Sequence, residues 1–542
     1  MTVADSGATP GCDGVPDYDV VIVGAGPIGL SEALLLARMG WRVGLFERHA
    51  ARYPLPRAVA MSHDSLRVVQ SAGLFEAMKP ALDLHYDGVA SEFIGEGGEV
   101  LFRRRYTAPG ESGFPTMTGF NQPDAEAILE RAALADPNID LQRGWVAVGL
   151  AQDAALVHVT LEPADPSGGS AEGDRRVVSA RFVVGADGAN STVRTLMGVP
   201  VHDVGFAADW LVVDIIPKVE RTWMIWLGQK IYGRPTTFAP AGPGRRRFEF
   251  MLLPHERAAD FADKAAAWPL LAEVGATPDD SELVRAAIYT FRGRWAENWR
   301  AGRILLAGDA AHQMPPMMAQ GFNSGMRDVA ALAWRLDLIL SGRAPADLLD
   351  SYTSERLPHV QQIVQQSVRF GQMICITDPA KQRERDAGLR LVRDGAAPPP
   401  PAPAWRLGPG VVAVGDENAG YCGMQGRVEI EGRVGLLDDL IGYNRFVLIA
   451  RSRDPAAALS AEADSIWRTL GGASLHIAPD GPVRDIGGTY TRWFEQAGAD
   501  VVLMRPDFQI YGTAKTLAGA DSLVRGLARQ IGLPANAETQ VV

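Results

Sequence analysis

The apolar and polar positions near the N-terminus predict a strand, a helix and a second strand. Residues 18–23 are apolar and β-branched, as a buried parallel strand requires, and 30–39 are rich in Ala and Leu. Gly40 stands where a helix C-cap is expected, and 42–46 have the pattern of the next strand. This order is typical of the start of a nucleotide-binding α/β domain.

Two later strands end in turns that contain glycine and aspartate. The strand predicted at 182–184 is followed by Gly-Ala-Asp-Gly at 185–188, and the strand at 304–307 by Gly308 and Asp309. Ligands of open α/β sheets bind at the carboxyl ends of the strands. We therefore expect these turns and the first one to form a shared site.

The segments between and after these strands have other patterns. Residues 205–255 alternate between apolar and polar positions, which predicts antiparallel strands of an inserted subdomain. Residues 325–372 have the pattern of long helices. After the proline-rich run at 396–403, strands near 445–450 and 500–506 are separated by helical patterns and indicate a small separate α/β domain.

Length, charge and cysteines exclude several classes of protein. A chain of 542 residues is expected to form two or three domains. Its net charge of -11 argues against a nucleic-acid partner, and no apolar run approaches the roughly 20 residues that span a bilayer. The three cysteines lie far apart, so we expect neither a CxxC pair nor a metal site. Residues 1–17 are small and polar, which indicates a disordered tail rather than a signal peptide, and a cytoplasmic protein is expected.

The first turn has the spacing of a dinucleotide-binding motif. Gly24 permits the tight turn, Gly26 lets a pyrophosphate approach the backbone, and Gly29 lets the helix pack on the strand. The helix N-terminus offers free N–H groups to the phosphates. Glu47, at the end of the second strand, is suited to accept hydrogen bonds from an adenosine ribose and disfavours the extra phosphate of NADP. This turn alone supports either FAD or NAD.

The other two turns favour FAD. An acidic side chain at a strand end can hold sugar-like hydroxyls, and a glycine-containing helix start can present N–H groups to a polar ring edge. FAD has a ribityl chain and a flavin pyrimidine, and therefore needs both. Only FAD explains the turns at Gly24, Asp187 and Asp309 together.

With these motifs the chain resembles the class A flavoprotein aromatic monooxygenases, which have the para-hydroxybenzoate hydroxylase fold. Within them it is most similar to 3-(3-hydroxyphenyl)propionate hydroxylases and related phenol and polyketide hydroxylases. The resemblance is strong over about 18–370 and weaker beyond. Its segments are 56–59, 120–123, 185–194, 246–251, 302–316, 321–328 and 352–356.

The resemblance implies an α/β fold with three parts. They are a Rossmann-like FAD-binding domain, an inserted antiparallel-sheet substrate domain, and a C-terminal thioredoxin-like α/β domain without CxxC. We expect the following bounds: tail 1–17, FAD-binding domain 18–385 with substrate-binding insertions near 85–115 and 200–295, proline-rich linker 386–410, and thioredoxin-like domain 411–542.

The resemblance also implies roles for individual residues. The family's cofactor contacts carry over to Gly24, Gly26, Pro27, Ile28, Gly29, Glu47, Arg48, Arg57, Gln122, Asp187, Arg194, Gly308, Asp309, Pro316, Gly321, Phe322 and Asn323. Asp187 and Arg194 belong to a motif that the family associates with both FAD and NADPH. Asp309 is expected to bind the ribityl chain, and Pro316 with 321–323 to shape the wall beside the isoalloxazine.

Two departures from the family pattern concern the substrate rather than the cofactor. Met317-Met318-Ala319 replaces a usual glycine-rich run, and 61–66 departs from an acidic version of the segment. We expect Trp226, Arg247 and Met317 to contact the substrate. The catalytic base is open among His63, His85, Tyr232 and Tyr289, while His312 is expected to brace its loop.

The predicted activity is hydroxylation of a phenolic ring. The resemblance implies that reduced FAD and O2 form a C4a-hydroperoxide, that NADPH or NADH is a transient co-substrate, and that the new oxygen enters ortho to an existing hydroxyl. The process fits aromatic compound catabolism, and a homodimer is compatible with the sequence. Two alternatives remain: a tailoring monooxygenase for a larger polycyclic or heteroaromatic compound, and a flavin-dependent dehydrogenase.

Overall fold

The computed structural model describes residues 15–84, 90–95, 98–105, 109–165, 167–171, 173–219, 225–231, 233–399 and 404–533. His85 and Tyr232 lie outside these ranges, as does most of the predicted N-terminal tail. Only the backbone is described at 90, 104–105 and 225–231, so the side chain of Trp226 is not part of the description.

The first sheet has eight strands and a parallel centre. Six of its strands, in spatial order, are Arg300–Ala301, Ile304–Leu306, Arg176–Gly185, Tyr18–Val23, Val43–Glu47 and Ile139–Arg143. Val157–Pro163 pairs antiparallel with Arg176–Gly185, and Trp145–Gln152 pairs antiparallel with Val157–Pro163. Val20, Val21 and Ile22 have no solvent exposure, because helices cover the central strands. The strand–helix–strand order predicted for the N-terminus is confirmed.

Helices and a small sheet surround this layer. The helices of this part are Pro27–Arg38, His63–Ser71, Phe75–Met78, Gln122–Ala135, Thr192–Met197, Gln320–Leu340, Asp350–Ile374 and Pro379–Arg393. The small sheet pairs Ala60–Ser62 and Leu82–Asp83 with Met117–Phe120. Gly325 allows Gln320–Leu340 to cross Pro27–Arg38 closely, since a Cβ there would lie 2.6 Å from the Cδ1 of Ile28.

The second sheet has eight mostly antiparallel strands. In spatial order they are His312–Gln313, Ser281–Ala296, Val201–Pro217, Arg246–Met251, Arg234–Pro240, Ile225–Ile231, Ala90–Ile94 and Val100–Arg105. Leu211, Val213, Phe248 and Phe250 form a core with the helix Trp268–Glu273 on one face. The opposite face carries Trp210, Asp214, Arg247, Glu249 and Met251, and we call it the inner face.

The C-terminal sheet has the strand arrangement of thioredoxin at its centre. Val447–Ala450 pairs parallel with Ala473–Ala478 and antiparallel with Val501–Met504, which pairs antiparallel with Ile510–Ala514. The remaining strands are Arg427–Ile430, Arg433–Leu436 and Val483–Asp485, and the helices are Leu437–Ile441, Ala461–Thr469, Thr489–Ala497 and Gly519–Ile531. The fold class predicted from the sequence is confirmed.

The predicted proline-rich linker begins later than expected. The helix Pro379–Arg393 continues through the start of the predicted linker at 386. Asp378 caps this helix by accepting hydrogen bonds from two backbone N–H groups, and Asp386 and Leu389 pack inward. The helix therefore continues to Arg393, and the proline-rich run at 396–403 follows it.

Buried ion pairs join the C-terminal part to the first. Arg67 pairs with Asp438 at 2.7 Å, and its guanidinium also lies 4.3 Å from the ring of Phe508. Arg505 pairs at 2.8 Å with Glu355, which also pairs with Arg335 at 2.6 Å. These charges have almost no solvent exposure, so each depends on its partner.

Candidate active site

The three glycine turns lie side by side at one edge of the first sheet. Ile304–Leu306 pairs with Arg176–Gly185, which pairs with Tyr18–Val23, so their carboxyl ends are adjacent. The backbone N–H of Ala186 donates to the carbonyl of Val23 at 2.8 Å. Three motifs that are far apart in the chain therefore form one edge, as ligand sites of such sheets require.

In the first turn, the backbone requires glycine at positions 24 and 29, whereas Gly26 leaves open space in front of the helix. Gly24 has a φ of +106°, and a Cβ on Gly29 would lie 1.9 Å from the carbonyl oxygen of Gly24. A Cβ on Gly26 would meet nothing within 4 Å, and its backbone is extended. Because the helix Pro27–Arg38 begins directly after it, Gly26 leaves open space at a helix N-terminus, and this space fits the pyrophosphate of FAD.

Glu47, the last residue of the strand Val43–Glu47, is hydrogen-bonded to the first turn. Its Oε2 accepts a hydrogen bond from the N–H of Ala25 at 2.9 Å, and its Oε1 accepts one from the N–H of His49 at 2.9 Å. The carboxylate is therefore held beside the glycine turn. Its contact with a ribose stays a prediction.

The second turn is tied to the third by an aspartate and an arginine. Asp187 Oδ2 accepts hydrogen bonds from the N–H groups of Thr192 and Val193, at 2.7 and 3.1 Å. Arg194 donates to the carbonyl of Ala310 at 2.8 Å. Asp187 Oδ1 is buried and has no partner among the described residues, so it is the atom available for a ligand. Arg48 lies beside this turn, with Nη2 3.5 Å from the Asp187 carbonyl.

The third turn is braced by a buried aspartate that the sequence analysis missed. Asp328 Oδ2 accepts the N–H of Gly308 at 3.0 Å and lies 2.7 Å from Nε2 of His312, while Oδ1 accepts Nε of Arg356 at 2.9 Å. Burial acts to raise the pKa of Asp328, but His312 and Arg356 outweigh it and keep the pKa low. His312 thus contacts the network that holds the Asp309 turn, in agreement with its expected bracing role.

Gln122 and Arg247 hold the loop that contains Arg57. Gln122 Oε1 accepts the N–H groups of Arg57 and Ala58 at 3.0 and 2.6 Å. Arg247 donates to the carbonyls of Arg57 and Pro56, each at 2.6 Å, and pairs with Asp214 at 2.8 Å. With 4% exposure, Arg247 has no exposed donor for a substrate carboxylate. Its predicted substrate role is corrected to a positioning role for this loop.

Asn323 fastens the turn predicted to lie beside the flavin. Its Oδ1 accepts the N–H of Ser62 at 2.9 Å, and its Nδ2 donates to the carbonyl of Ala319 at 2.5 Å. The helix Gln320–Leu340 begins here, with Gly321 in its first turn and the ring of Phe322 tilted against that of Phe120 at a centroid distance of 5.1 Å. Direct contact of these residues with the isoalloxazine stays a prediction.

Ala319 adopts the left-handed conformation that glycine prefers, with a φ of 54°. Replacing it by glycine is expected to stabilise the protein by on the order of 1 kcal/mol, because the Cβ strain is removed. The melting temperature of the FAD-loaded protein measures this. Ala387→Gly, in an exposed part of the helix Pro379–Arg393, should instead lower it, and a lower value for Ala319→Gly would contradict the argument.

The two described candidates for the catalytic base have different surroundings. His63 packs under Gly110, and its Nδ1 lies 3.4 Å from the N–H of Ser112. Burial lowers the pKa of His63, with Asp64 opposing. Tyr289 lies on the strand Ser281–Ala296, with its hydroxyl 3.3 Å from that of Tyr53 and accepting from Arg285 at 3.1 Å. Burial and Tyr53 raise the pKa of Tyr289, which makes its hydroxyl a hydrogen-bond donor rather than a base.

An apolar cluster joins the inner face to the Pro316 turn. Its buried members are Phe93, Leu101, Trp210, Met251, Met317 and Ile374. Met317 comes from the turn Pro316–Met318, and Trp210 and Met251 from the second sheet. Apolar side chains of this kind are suited to pack around an aromatic ring, as predicted for Met317.

The family comparisons agree with this site. A family model described as the FAD binding domain matches residues 17–367, and one described as the HcaD C-terminal domain matches residues 420–530. The first covers more than half of the chain and includes all three turns. The second coincides with most of the C-terminal sheet.

Curated relatives match almost the whole chain. A probable NADH-specific resorcinol 4-hydroxylase of Rhodococcus jostii (strain RHA1) is 32% identical over 97% of both chains. A 3-(3-hydroxy-phenyl)propionate/3-hydroxycinnamic acid hydroxylase of Escherichia coli O8 (strain IAI1) is 33% identical over 91% of both. Among solved structures, the flavin-dependent monooxygenase PieE in complex with FAD and substrate has a TM-score of 0.79 at 22% identity, covering 96% of this chain and 100% of that one. Aklavinone-11 hydroxylase with FAD and aklavinone has a TM-score of 0.75 at 23% identity, covering 96% and 99%.

The protein belongs to the family of FAD-dependent aromatic-ring monooxygenases, which confirms the resemblance drawn from its motifs. It is a flavin-dependent aromatic hydroxylase that uses FAD as cofactor, with NAD(P)H and O2 as co-substrates. The solved structures add the agreement in fold. Among the residues that the structure describes, none of the helices combines the length and apolarity that crossing a membrane requires.

Proposed function

We propose that this enzyme hydroxylates a small phenol ortho to an existing hydroxyl, with NADH as reductant and a flavin C4a-hydroperoxide as oxygen donor. The observation that carries the proposal is the apolar cluster on the inner face, which contains Met317 from the turn expected beside the flavin. FAD supplies the redox and oxygen chemistry when bound. The protein's own residues bind the ring, exclude water and hold the substrate hydroxyl.

The size of the substrate follows from the side chains that crowd this region. Trp210, Phe93 and Met317 are each less than 9% exposed and pack against one another. They leave less room than small residues would at the same positions, which favours a single ring over a polycyclic substrate. The names of the two curated relatives describe small phenols and, in one case, NADH specificity, and both features support the proposal.

A steady-state assay tests the proposal. The FAD-loaded enzyme is mixed with NADH or NADPH and with resorcinol, 3-(3-hydroxyphenyl)propionate or phenol, and cofactor oxidation, O2 uptake and product mass are recorded. We expect at least one small phenol to accelerate NADH oxidation with stoichiometric O2 uptake and a mass gain of one oxygen atom. Oxidation of substrate without O2 uptake would instead favour the dehydrogenase alternative.

The network around Asp328 provides a second test. Asp328→Asn keeps the shape of the side chain but removes the charge that faces His312 and Arg356. We expect weaker FAD binding, because the Gly308 turn loses its charged acceptor, and lower stability by about 3 kcal/mol. FAD titration followed by flavin fluorescence measures the first effect and thermal unfolding the second. Unchanged FAD affinity would show that Asp328 does not position the turn.

A further inference from the structure

A carboxyl group to which no role has yet been given lies on the inner face of the second sheet. Glu249 belongs to the strand Arg246–Met251 and is paired with Thr237 on one side and Val212 on the other. It is therefore central in the sheet rather than at an edge. Sequence alternation puts Arg247, Glu249 and Met251 on one face but does not show what that face meets.

The neighbours of Glu249 along its strand show where that face points. Arg247 contacts the carbonyls of Pro56 and Arg57, in the loop expected to contact the flavin. Met251 packs in the apolar cluster that contains Met317, from the turn expected on the other side of the flavin. Glu249 lies between them on the same face of the strand, so its side chain lies between the two segments expected to contact the flavin.

Glu249 is incompletely satisfied. Its Oε2 accepts a hydrogen bond from Thr237 Oγ1 at 2.7 Å, while the structure gives Oε1 no partner among the described residues. The nearby carboxylate Asp214 is already paired with Arg247 and with Arg285, each at 2.8 Å. In the described part of the chain Glu249 thus has one neutral hydrogen bond and no ion pair, although it is half-buried in the centre of the sheet.

The charges around Glu249 come from three strands. Arg247 is on its own strand, Asp214 is on Val201–Pro217, and Arg285 is on Ser281–Ala296. Burial raises the pKa of Glu249, and Asp214 adds to the rise, while Arg247, Thr237 and Arg285 oppose it. The net result is a carboxylate that holds a proton more strongly than one in water.

A purely structural role explains only half of this arrangement. The bond from Thr237 ties two adjacent strands, but it uses only Oε2, and a neutral amide would accept it equally well. The charge and the free Oε1 have no structural use in the described contacts. A half-buried carboxyl between Arg247 and Met251, with an oxygen that has no partner among the described residues, is positioned to accept a hydrogen bond from a ligand.

We propose that Oε1 of Glu249 accepts the hydroxyl proton of the phenolic substrate, with Thr237 fixing the orientation of the carboxylate. This rests on the proposed function, which it deepens by assigning the base. The substrate O–H bond breaks, a Glu249 Oε1–H bond forms, and the electron pair stays on the phenolate oxygen, so no oxidant takes part. The proton returns to solvent when the product leaves.

The acid–base properties of a phenol and of the Glu249 carboxylate suit this proton transfer. A phenol has a pKa of about 10, and its phenolate is the electron-rich form that attacks an electrophilic oxygen. A carboxylate with a raised pKa is a stronger base towards it than an ordinary one. Trp210 and Met251 place apolar surface on the same face of the sheet as Glu249.

Glu249→Gln in the FAD-loaded enzyme tests the proposal, because it keeps the Thr237 hydrogen bond and removes the base. We expect kcat/KM to fall on the order of a hundredfold or more at pH 7 with FAD content unchanged. We also expect the activity of the variant to rise with pH towards the substrate's own pKa of about 9 to 10, because the substrate then ionises without help. The wild type should lose activity as the pH falls and Glu249 takes up a proton.

Glu282→Gln is the matched control, since Glu282 is an exposed carboxyl on the same sheet and should behave like the wild type. A Glu249→Gln enzyme with wild-type kcat/KM and pH profile would overturn the assignment of the base while leaving the proposed function intact. A loss of activity that does not recover at high pH would also overturn it, since it indicates structural damage. If the wild type itself hydroxylates no phenol, the proposed function fails and the assignment with it.

Discussion

Replacing Gly26 by valine is expected to produce a folded protein that purifies without FAD. A Cβ there would meet no protein atom within 4 Å and the backbone is extended, so we expect the fold to tolerate the substitution. The added methyl groups occupy the space at the N-terminus of Pro27–Arg38 where the pyrophosphate approaches. We expect the affinity for FAD to fall about a hundredfold or more, on the order of 3 kcal/mol.

Two other glycine variants serve as comparisons for Gly26→Val. Gly388→Val adds the same side chain where nothing lies within 4 Å, on an exposed helix far along the chain, and should bind FAD normally. Gly29→Ala should fail differently, by unfolding, because its Cβ would overlap the carbonyl of Gly24. Circular dichroism measures folding, and FAD absorbance after gel filtration measures loading. Normal FAD loading of Gly26→Val would contradict the placement of the pyrophosphate.

Removing the carboxyl of Glu355 is expected to have the largest effect on stability. Its Oε2 contacts Arg335 and Arg505, and its Oε1 accepts the N–H of Val411 at 2.6 Å. In Glu355→Ala two buried guanidinium groups lose this partner, and among the described residues Asp507 is the carboxylate that remains paired with them. We expect a loss of about 3 to 5 kcal/mol in the free energy of unfolding, together with release of the C-terminal part.

The same cluster predicts the response to acid. Burial acts to raise the pKa values of Glu355 and Asp507, but the arginines outweigh it, and both pKa values lie below the ordinary range. Groups with a lowered folded pKa add stability above their unfolded pKa of about 4, and this stability is lost as the pH falls further. Denaturant titrations at pH 7 and at pH 4 and below measure it.

Glu462→Ala is the control for Glu355→Ala, because Glu462 pairs with Arg525 at the surface with 68% exposure. Screening by solvent should make its effect far smaller. An equally small effect for Glu355→Ala would show that the cluster does not hold the two parts together.

The parts of the site that depend on local sequence could be predicted. Gly24 has a positive φ, Gly29 packs on the carbonyl of Gly24, and Gly26 directly precedes a helix, so the spacing of the motif locates the turn. The turns at Asp187 and Asp309 follow strands whose apolar pattern is visible in the chain. Parallel pairing of those strands then puts all three turns at one edge.

The parts of the site that depend on long-range pairing could not be predicted from the sequence. Asp214, Arg247 and Arg285 come from three strands, and nothing in the chain shows that one aspartate serves two arginines. Gln122 and Asn323 were placed near the cofactor, but their side chains hold the backbone at Arg57 and Ala319. Glu249 is not among the residues predicted for the site, because only the strand pairing shows that it lies between Arg247 and Met251 on the inner face.

An experiment with labelled O2 tests directly whether this enzyme inserts an oxygen atom from O2 into a phenolic ring. The FAD-loaded enzyme is incubated with NADH and the phenol that most accelerates its oxidation, under ¹⁸O₂ in ordinary water, and the product is analysed by mass spectrometry. We expect a ring-hydroxylated product that contains one ¹⁸O atom, ortho to the original hydroxyl. A product without ¹⁸O, formed while NADH is consumed, would contradict it.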